Sequence, residues 1–206
     1  MAINRKFFFD TVRLSLFDGK LTGPQVAGLK AMLDKWEAET PNADDRWLAY
    51  MLGTAHHETG RTMQPVRETF ATSDESAIAR LNAAFAKGVL TWVSKPYWQK
   101  DADGKSWLGR GYVQITHKAN YQKLKGVTGI DLTGDPTKAM EVPVALDIMF
   151  KGMAKGSFTS KKLGDYFSGG KEDWRSARKI INGLERADLV ASYAKKYYSA
   201  ISYTTG

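Results

Sequence analysis

The strongest chemical signal in the 206-residue sequence is a carboxyl group that continues an apolar helical stripe. Residues 44–58 repeat apolar side chains at helical spacing, and Glu58 occupies the next step of that face, just before Thr59-Gly60. Burial raises the pKa of a carboxyl group, which suits a general acid that works near neutral pH. The alternative is a buried ion pair with a nearby arginine, Arg61 or Arg67.

A second carboxyl group follows ten positions later, at Glu68. Pro65 ends the helix, so Glu68 is expected on the loop that leaves it, where it can fold back toward Glu58. Two carboxyl groups about 6.5–9.5 Å apart are typical of inverting glycosidases, and about 5–5.5 Å of retaining ones. Asp74 and Glu75 are the alternative candidates for the second role.

A polar strip is predicted on the segment 109–116, which alternates with the period of a β-strand. Tyr112, Gln114 and Thr116 share one face of that strand. Their hydroxyl and amide groups can bind sugar hydroxyl and N-acetyl groups, and Asn120 extends the strip into the next helix. An edge strand with an exposed polar face explains the same alternation.

Metal sites are not expected. The zincin pattern that begins His57-Glu58 requires a histidine at position 61, which is Arg61. Asp101-x-Asp103-Gly104 resembles the start of a calcium loop, but the remaining ligands are missing and a turn is favoured. The sequence contains no cysteine, so it offers no disulfide or thiolate site. We therefore expect neither a metal nor a cofactor, and interpret His57 as a hydrogen-bonding support for the carboxyl group.

The elements that position these residues are mostly helices, with a small β-hairpin or sheet at about 97–116. Apolar periodicity predicts helices at 4–17, 24–37, 44–58, 73–86, 118–126, 141–154, 173–182 and 187–201. No linker or repeat interrupts the chain, so residues 1–206 are predicted to form a single domain. The fold class is therefore mainly α.

The charge of the protein points to an anionic partner. The formal net charge is +8, and from Lys151 onward eleven lysine and arginine residues accompany five aspartate and glutamate residues. Nucleic acid, anionic lipid and the bacterial envelope are all compatible with this excess, as is a solvated helical surface. The apolar run at Phe7-Phe8-Phe9 stops at Asp10, too short for a signal peptide, and no stretch is long enough to span a membrane.

Taken together, the motifs resemble family 19 glycoside hydrolases, which include chitinases and many phage endolysins. The resemblance rests on three segments in order: His57-Glu58-Thr59-Gly60, residues 104–116 with Asn120-Tyr121, and Ile180-Ile181-Asn182-Gly183. It implies an α+β lysozyme-like fold, in which helices surround a cleft with a small sheet as one wall. It also implies an inverting mechanism.

The resemblance assigns roles to individual residues. Glu58 matches the general acid and Glu68 the general base, and Gln114, Thr116, Asn120 and Asn182 match sugar-binding positions. His57 and Tyr112, singled out from the residues above, are also expected at the substrate site. Two departures from chitinase members, at Arg61 and Tyr112, fall beside the expected cleft and bear on the identity of the substrate.

The predicted function is that of an endolysin that hydrolyses β-1,4 bonds of peptidoglycan, with the muramidase and glucosaminidase bonds both open. The alternatives are a chitinase, a lytic transglycosylase, and a non-catalytic basic module that binds cell wall or nucleic acid. We expect a monomer that binds glycan strands and, through its basic carboxyl-terminal region, the anionic envelope. It is not expected to bind nucleic acid or insert stably into a membrane. Without a signal peptide, it is expected to be made in the host cytoplasm and to act at the wall after release.

Overall fold

A computed structural model describes residues 2–40 and 42–202, and this part of the chain is mainly helical. It contains seven α-helices: α1 (Arg5–Leu16), α2 (Gly23–Glu39), α3 (Asp45–Glu58), α4 (Asp74–Ala86), α5 (Lys118–Thr128), α6 (Val142–Lys155) and α7 (Ala187–Ile201). Two antiparallel ribbons pair β1 (Val66–Arg67) with β2 (Arg110–Gly111), and β3 (Phe167–Ser168) with β4 (Lys171–Glu172). The mainly α fold class with a small sheet is confirmed.

The contacts divide the chain into two compact units, which are described separately. The first contains the residues up to Gln64 and those from Met149 onward, and the second contains residues 65–148. That residues 1–206 behave as one domain therefore stays a prediction. None of the helices in the described ranges combines the length and apolar character that a membrane span requires.

In the first unit, α3 is the buried central helix and α7 packs along it. Nine of the fourteen residues of α3 are buried. At Gly53 the two helices approach so closely that a side-chain Cβ would lie 2.8 Å from the backbone nitrogen of Ala194. Such an approach requires a residue without a side chain, so Gly53 fixes where α7 crosses α3.

The carboxyl end of α3 is closed by a buried threonine. The Thr59 hydroxyl donates a hydrogen bond to the carbonyl of Ala55 (2.7 Å) and accepts one from the amide of Met63 (3.1 Å). Gly60 then takes a left-handed conformation with φ of 56°, which glycine adopts without strain. Glu58 is therefore the last residue of α3, and the buried residues of that helix fix its position.

In the second unit, α4 packs with the loop that follows it around a small apolar cluster. Its buried members are Ala71, Ala77, Leu81, Trp98 and Leu108. Beside it, Arg110 is completely buried and donates to Tyr121 Oη (2.9 Å) and to Asp74 Oδ2 (2.5 Å). Arg110 is thus a structural cation, and it fixes β2 relative to α4.

Two predicted elements are wrong in detail. Residues 173–182 form a 3₁₀ helix at Ser176–Ile180 in place of an α-helix, and the buried side chains Trp174, Ala177 and Ile180 repeat every three residues, the period of that helix. The continuous strand at 109–116 is also wrong. Only Arg110–Gly111 is extended; the chain then turns, and Ile115 pairs back with Arg110.

Candidate active site

Glu58 lies at the end of α3 with only 16% of its side chain exposed. Its Oε1 accepts a hydrogen bond of 2.5 Å from Nη1 of Arg178, which is itself buried. Arg178 is held in turn by a hydrogen bond from Nε to the carbonyl of Glu185 (3.1 Å). The Glu58 carboxyl group is therefore desolvated and held in one orientation by a charged partner.

The partner of Glu58 differs from the two arginines that the sequence suggested. Arg61 pairs with Asp18 at 2.7 Å, and Arg67 pairs with Asp74 at 2.8 Å. A buried ion pair is therefore present, as the alternative interpretation suggested, but its arginine is Arg178 and neither of the two examples. Helical geometry explains this, because Arg61 lies past the end of α3 and no longer follows its buried face.

His57 is half-buried beside Glu58. Burial lowers the pKa of its imidazole; the charge of Glu58 opposes this effect, and those of Arg178 and Arg186 add to it. A neutral imidazole is therefore favoured near neutral pH. Within the described residues, the hydrogen bond to the Glu58 carboxyl group comes from Arg178 and none comes from His57.

Glu68 begins a short 3₁₀ turn directly after β1, in the second unit. Its Oε1 accepts a hydrogen bond of 2.5 Å from the Tyr97 hydroxyl, and its Oε2 accepts one of 2.7 Å from the amide of Gly109. Both carboxylate oxygens thus face donors, which is the environment of an ionised carboxylate. The next residue, Thr69, has a left-handed backbone with φ of 61°, and strain of this kind is found most often at functional sites.

Gly109 and Gln114 brace the Glu68 loop. A Cβ at Gly109 would lie 2.8 Å from Oε1 of Gln114 and 3.3 Å from Oε2 of Glu68, so a larger residue there would displace these two side chains. The Gln114 amide nitrogen donates to the carbonyls of Val66 (2.7 Å) and Gly111 (3.1 Å). Gln114 therefore ties the turn after β2 to the strand that precedes Glu68.

The polar strip is only partly present. Tyr112 is completely buried, because the chain turns after Gly111 and carries the ring inward, so the expected exposed face of Tyr112, Gln114 and Thr116 is wrong. Burial raises the pKa of the Tyr112 phenol. Thr116 and Asn120 remain partly or fully exposed, and the Asn120 amide donates to the Thr116 carbonyl at 2.7 Å.

Asn182 lies in the first unit, four residues after Arg178. It is exposed, its backbone amide donates to the Arg178 carbonyl (3.1 Å), and its Oδ1 accepts from the amide of Gly183 (2.8 Å). The arginine that holds Glu58 therefore lies just before the segment that resembled a substrate-binding loop. Thus Glu58, His57 and Asn182 belong to the first unit, and Glu68, Gln114, Thr116 and Asn120 to the second.

The alternative carboxylates are engaged elsewhere. Burial acts to raise the pKa of Asp74, but hydrogen bonds and charges from Arg110 and Arg67 outweigh it and leave that pKa below its ordinary value. Glu75 is exposed and pairs with Lys100 at 3.1 Å. Glu68 is therefore the better placed of the three for chemistry.

Arg178 and Tyr97 hold the two carboxyl groups, and the sequence did not identify either. Arg178 was visible only as one of eleven basic residues after position 150, and Tyr97 only as one of several aromatics before a turn. Nothing in their spacing distinguishes them, since both partners are more than 25 residues away in sequence.

The calcium-like segment is a turn. Asp101 Oδ1 accepts from the amides of Asp103 (3.0 Å) and Lys105 (3.1 Å), and Oδ2 accepts from the indole of Trp107 (3.0 Å). Both oxygens are thus occupied by protein donors. No group of three or more potential metal ligands occurs in the described ranges.

Comparison with solved structures identifies the fold. A crystal structure of a mutant chitinase C superposes with a TM-score of 0.55 at 16% sequence identity, covering 100% of this chain and 95% of that one. The fold is that of chitinase C. A bacterial family 19 chitinase (17% identity, TM-score 0.45, 100% and 98% coverage) and chitinase C from Streptomyces griseus (14%, 0.48, 100% and 78%) also match. In sequence, the chain matches no protein-family model and no curated protein.

Proposed function

We propose that this protein is a glycoside hydrolase that cleaves β-1,4 bonds of bacterial peptidoglycan, with Glu58 as general acid and Glu68 as general base. The observation that carries the proposal is the Glu58 carboxyl group, 84% removed from solvent at the end of a buried helix and oriented by a buried arginine. A desolvated, oriented carboxyl group is what proton transfer to a leaving oxygen requires. The chitinase-like fold and the motif around Glu58 support the same reaction class.

The two oxygens of Glu58 suit different tasks. Oε1 is occupied by Arg178, whereas within residues 2–40 and 42–202 no donor reaches Oε2. A proton on Oε2 leaves the Arg178 hydrogen bond in place. In the proposed reaction, that proton passes to the glycosidic oxygen as the bond between it and the anomeric carbon breaks.

Glu68 suits the complementary task. Its charge is stabilised by the Tyr97 hydroxyl and the Gly109 amide, so it can accept a proton from water. The water oxygen then forms a bond to the anomeric carbon on the face opposite the leaving group, and a β-linkage yields an α-anomer. Glu58 donates one proton to the leaving oxygen, and Glu68 takes one proton from the attacking water. Exchange of protons with solvent then returns both carboxyl groups to their starting states.

Peptidoglycan is proposed as the substrate because of charge. The net charge of +8 favours an anionic polymer over uncharged chitin. A basic cell-wall hydrolase of this kind suits the endolysin role, in which the protein leaves the cytoplasm before it meets the wall. Chitin is the second candidate, because the solved structures with this fold are chitinases.

Analysis of the products tests the proposal. Purified peptidoglycan is digested, and the fragments are reduced with borohydride and identified by mass spectrometry. New reducing ends at muramic acid or glucosamine indicate hydrolysis and define the bond, whereas an anhydro-sugar indicates a lytic transglycosylase. If the protein cleaves chitin oligomers but leaves peptidoglycan uncleaved, the substrate assignment is wrong and the protein is a chitinase.

A further inference from the structure

An exposed tryptophan stands out on the loop between α4 and β2. The Trp92 side chain is 77% exposed, more than any other large apolar side chain in the described ranges. Its neighbour Val93 packs against the apolar cluster of the second unit, and so does Tyr97. The loop is thus anchored on both sides while its indole faces solvent, so the face of the ring is open to a ligand.

Trp92 borders a cavity of about 320 Å³ in the same unit. The cavity is lined by residues 92–95, Tyr97, Thr116 and His117, and its volume lies within the range of small-molecule pockets, about 300–1,000 Å³. An exposed indole can stack on the apolar C–H face of a sugar ring. Thr116 lines the same cavity, and its hydroxyl can donate a hydrogen bond to a sugar hydroxyl or accept one from it.

Tyr97 links this cavity to Glu68. The Tyr97 hydroxyl donates to the Glu68 carboxylate at 2.5 Å, and the Tyr97 ring packs against the ring of His117 with centroids 4.3 Å apart. Tyr97 and His117 both line the cavity. His117 lies directly before α5 and has a left-handed backbone with φ of 66°, a strained conformation for a residue other than glycine. A ligand in the cavity would therefore lie next to the side chain that holds Glu68.

The cavity also carries an unpaired positive charge. Lys95 lines it and is exposed, and among residues 2–40 and 42–202 no carboxylate pairs with its ammonium group. Two other lysines of the same unit do have such partners, Lys100 with Glu75 and Lys118 with Asp101. A free cation beside an exposed indole is complementary to a glycan that bears carboxylates.

We propose that residues 92–95 with Tyr97, Thr116 and His117 form a subsite for a muramyl residue of the glycan strand and its acidic stem peptide. Trp92 stacks on the pyranose ring, and Lys95 pairs with a carboxylate of the stem peptide, which is amide-linked to the lactyl group of the muramyl residue. This inference rests on the proposed function and adds to it a basis for choosing peptidoglycan over chitin, because chitin carries no carboxylate.

Binding to an inactive enzyme tests the subsite without cleavage of the ligand. Full-length Glu58→Gln protein is the parent, and calorimetry measures its affinity for two ligands: a peptidoglycan tetrasaccharide that carries its stem peptides, and chitotetraose. Trp92→Ala should weaken both by roughly 3- to 10-fold, and Trp92→Phe by less. Lys95→Gln should weaken only the tetrasaccharide with carboxylates. Val89→Ala, at an exposed position of the same unit that does not line the cavity, is the matched control.

The outcomes separate the subsite from the reaction. If Trp92→Ala binds both ligands as tightly as Val89→Ala does, the subsite is wrong, while hydrolysis by the Glu58 enzyme leaves the proposed function intact. If Lys95→Gln affects both ligands equally or neither, the recognition of a carboxylate is wrong. If the parent binds neither ligand and the Glu58 enzyme releases no reducing ends from peptidoglycan, the proposed function and the subsite are both overturned.

Discussion

Nη1 of Arg178 lies 2.5 Å from Oε1 of Glu58, and both side chains are largely removed from solvent. The two residues are 120 positions apart in sequence, and α3 and the 3₁₀ helix at Ser176–Ile180 bring them together. A buried carboxylate is costly without a partner, so Arg178 both stabilises the folded protein and orients the proposed general acid.

Loss of Arg178 should lower stability and activity together. Arg178→Ala leaves the Glu58 charge without a partner, and we expect the free energy of unfolding to fall by about 1–3 kcal/mol. In a Glu58→Gln background the same substitution should cost less, because no buried charge is left behind. Urea unfolding of the two single variants and the double variant measures this coupling. If the two substitutions lower the free energy of unfolding additively in the double variant, the two side chains are not coupled and the ion-pair account is wrong.

Loss of Glu68 should stop hydrolysis and spare binding. Glu68→Ala removes the group that activates water, so kcat should fall by about 10²- to 10⁴-fold while glycan affinity changes little. Azide is small enough to replace the water, and proton NMR should then detect an α-glycosyl azide. Tyr97→Phe, which removes only the hydroxyl that donates to Glu68, should have a smaller effect. Full activity of Glu68→Ala with release of an anhydro-sugar would indicate a transglycosylase.

Stability should depend on pH through His56. Burial lowers its pKa from 6.5 to about 4, and its ring packs against Tyr193 and bonds the Tyr197 hydroxyl. Between these pH values the unfolded chain binds a proton that the folded protein does not, so the free energy of unfolding should fall as pH drops from about 6.5 to 4. His57, whose pKa is also lowered, adds to the same trend. His56→Gln should flatten the dependence; an unchanged slope would contradict this assignment.

Salt should weaken the encounter with the wall and spare the chemistry. Surface charges are screened over about 8–10 Å at physiological ionic strength, so added salt should reduce binding to whole walls while turnover of short soluble glycans persists. Charge reversal of the exposed pair Lys161 and Lys162 to glutamate should reproduce the effect. The matched control reverses Lys20 and Lys87, which are exposed and lie outside the carboxyl-terminal third. Equal losses from both pairs would assign the effect to net charge alone.

The sequence was sufficient to predict the seven α-helices of the described residues and the position of Glu58, but it wrongly added an α-helix at 173–182. Helical periodicity and capping are local, so α3 ends where Thr59 and Gly60 indicate, and its buried face leads to Glu58. The same reasoning failed at 109–116, where alternation suggested a strand. There Gly111 and Gln114 adopt left-handed backbone conformations, so the chain turns, and Tyr112 is buried. Here the tertiary fold overrides a local pattern.

The partners of the two carboxyl groups could not be predicted, for a related reason. Arg178 and Tyr97 are ordinary residues in their own segments, and their roles arise only when distant segments meet. A buried arginine is informative in a structure because it needs a counterion, but its burial cannot be read from a basic stretch of sequence.

The Glu58→Gln substitution tests the central claim most directly. Glutamine keeps the shape of the side chain but cannot donate the catalytic proton, so the variant should fold as the parent does and release reducing ends from purified peptidoglycan about 10²- to 10⁴-fold more slowly. Circular dichroism confirms the fold, and mass spectrometry of the digest measures the release. A well-folded Glu58→Gln protein that cleaves peptidoglycan at the rate of the unchanged protein would contradict the account.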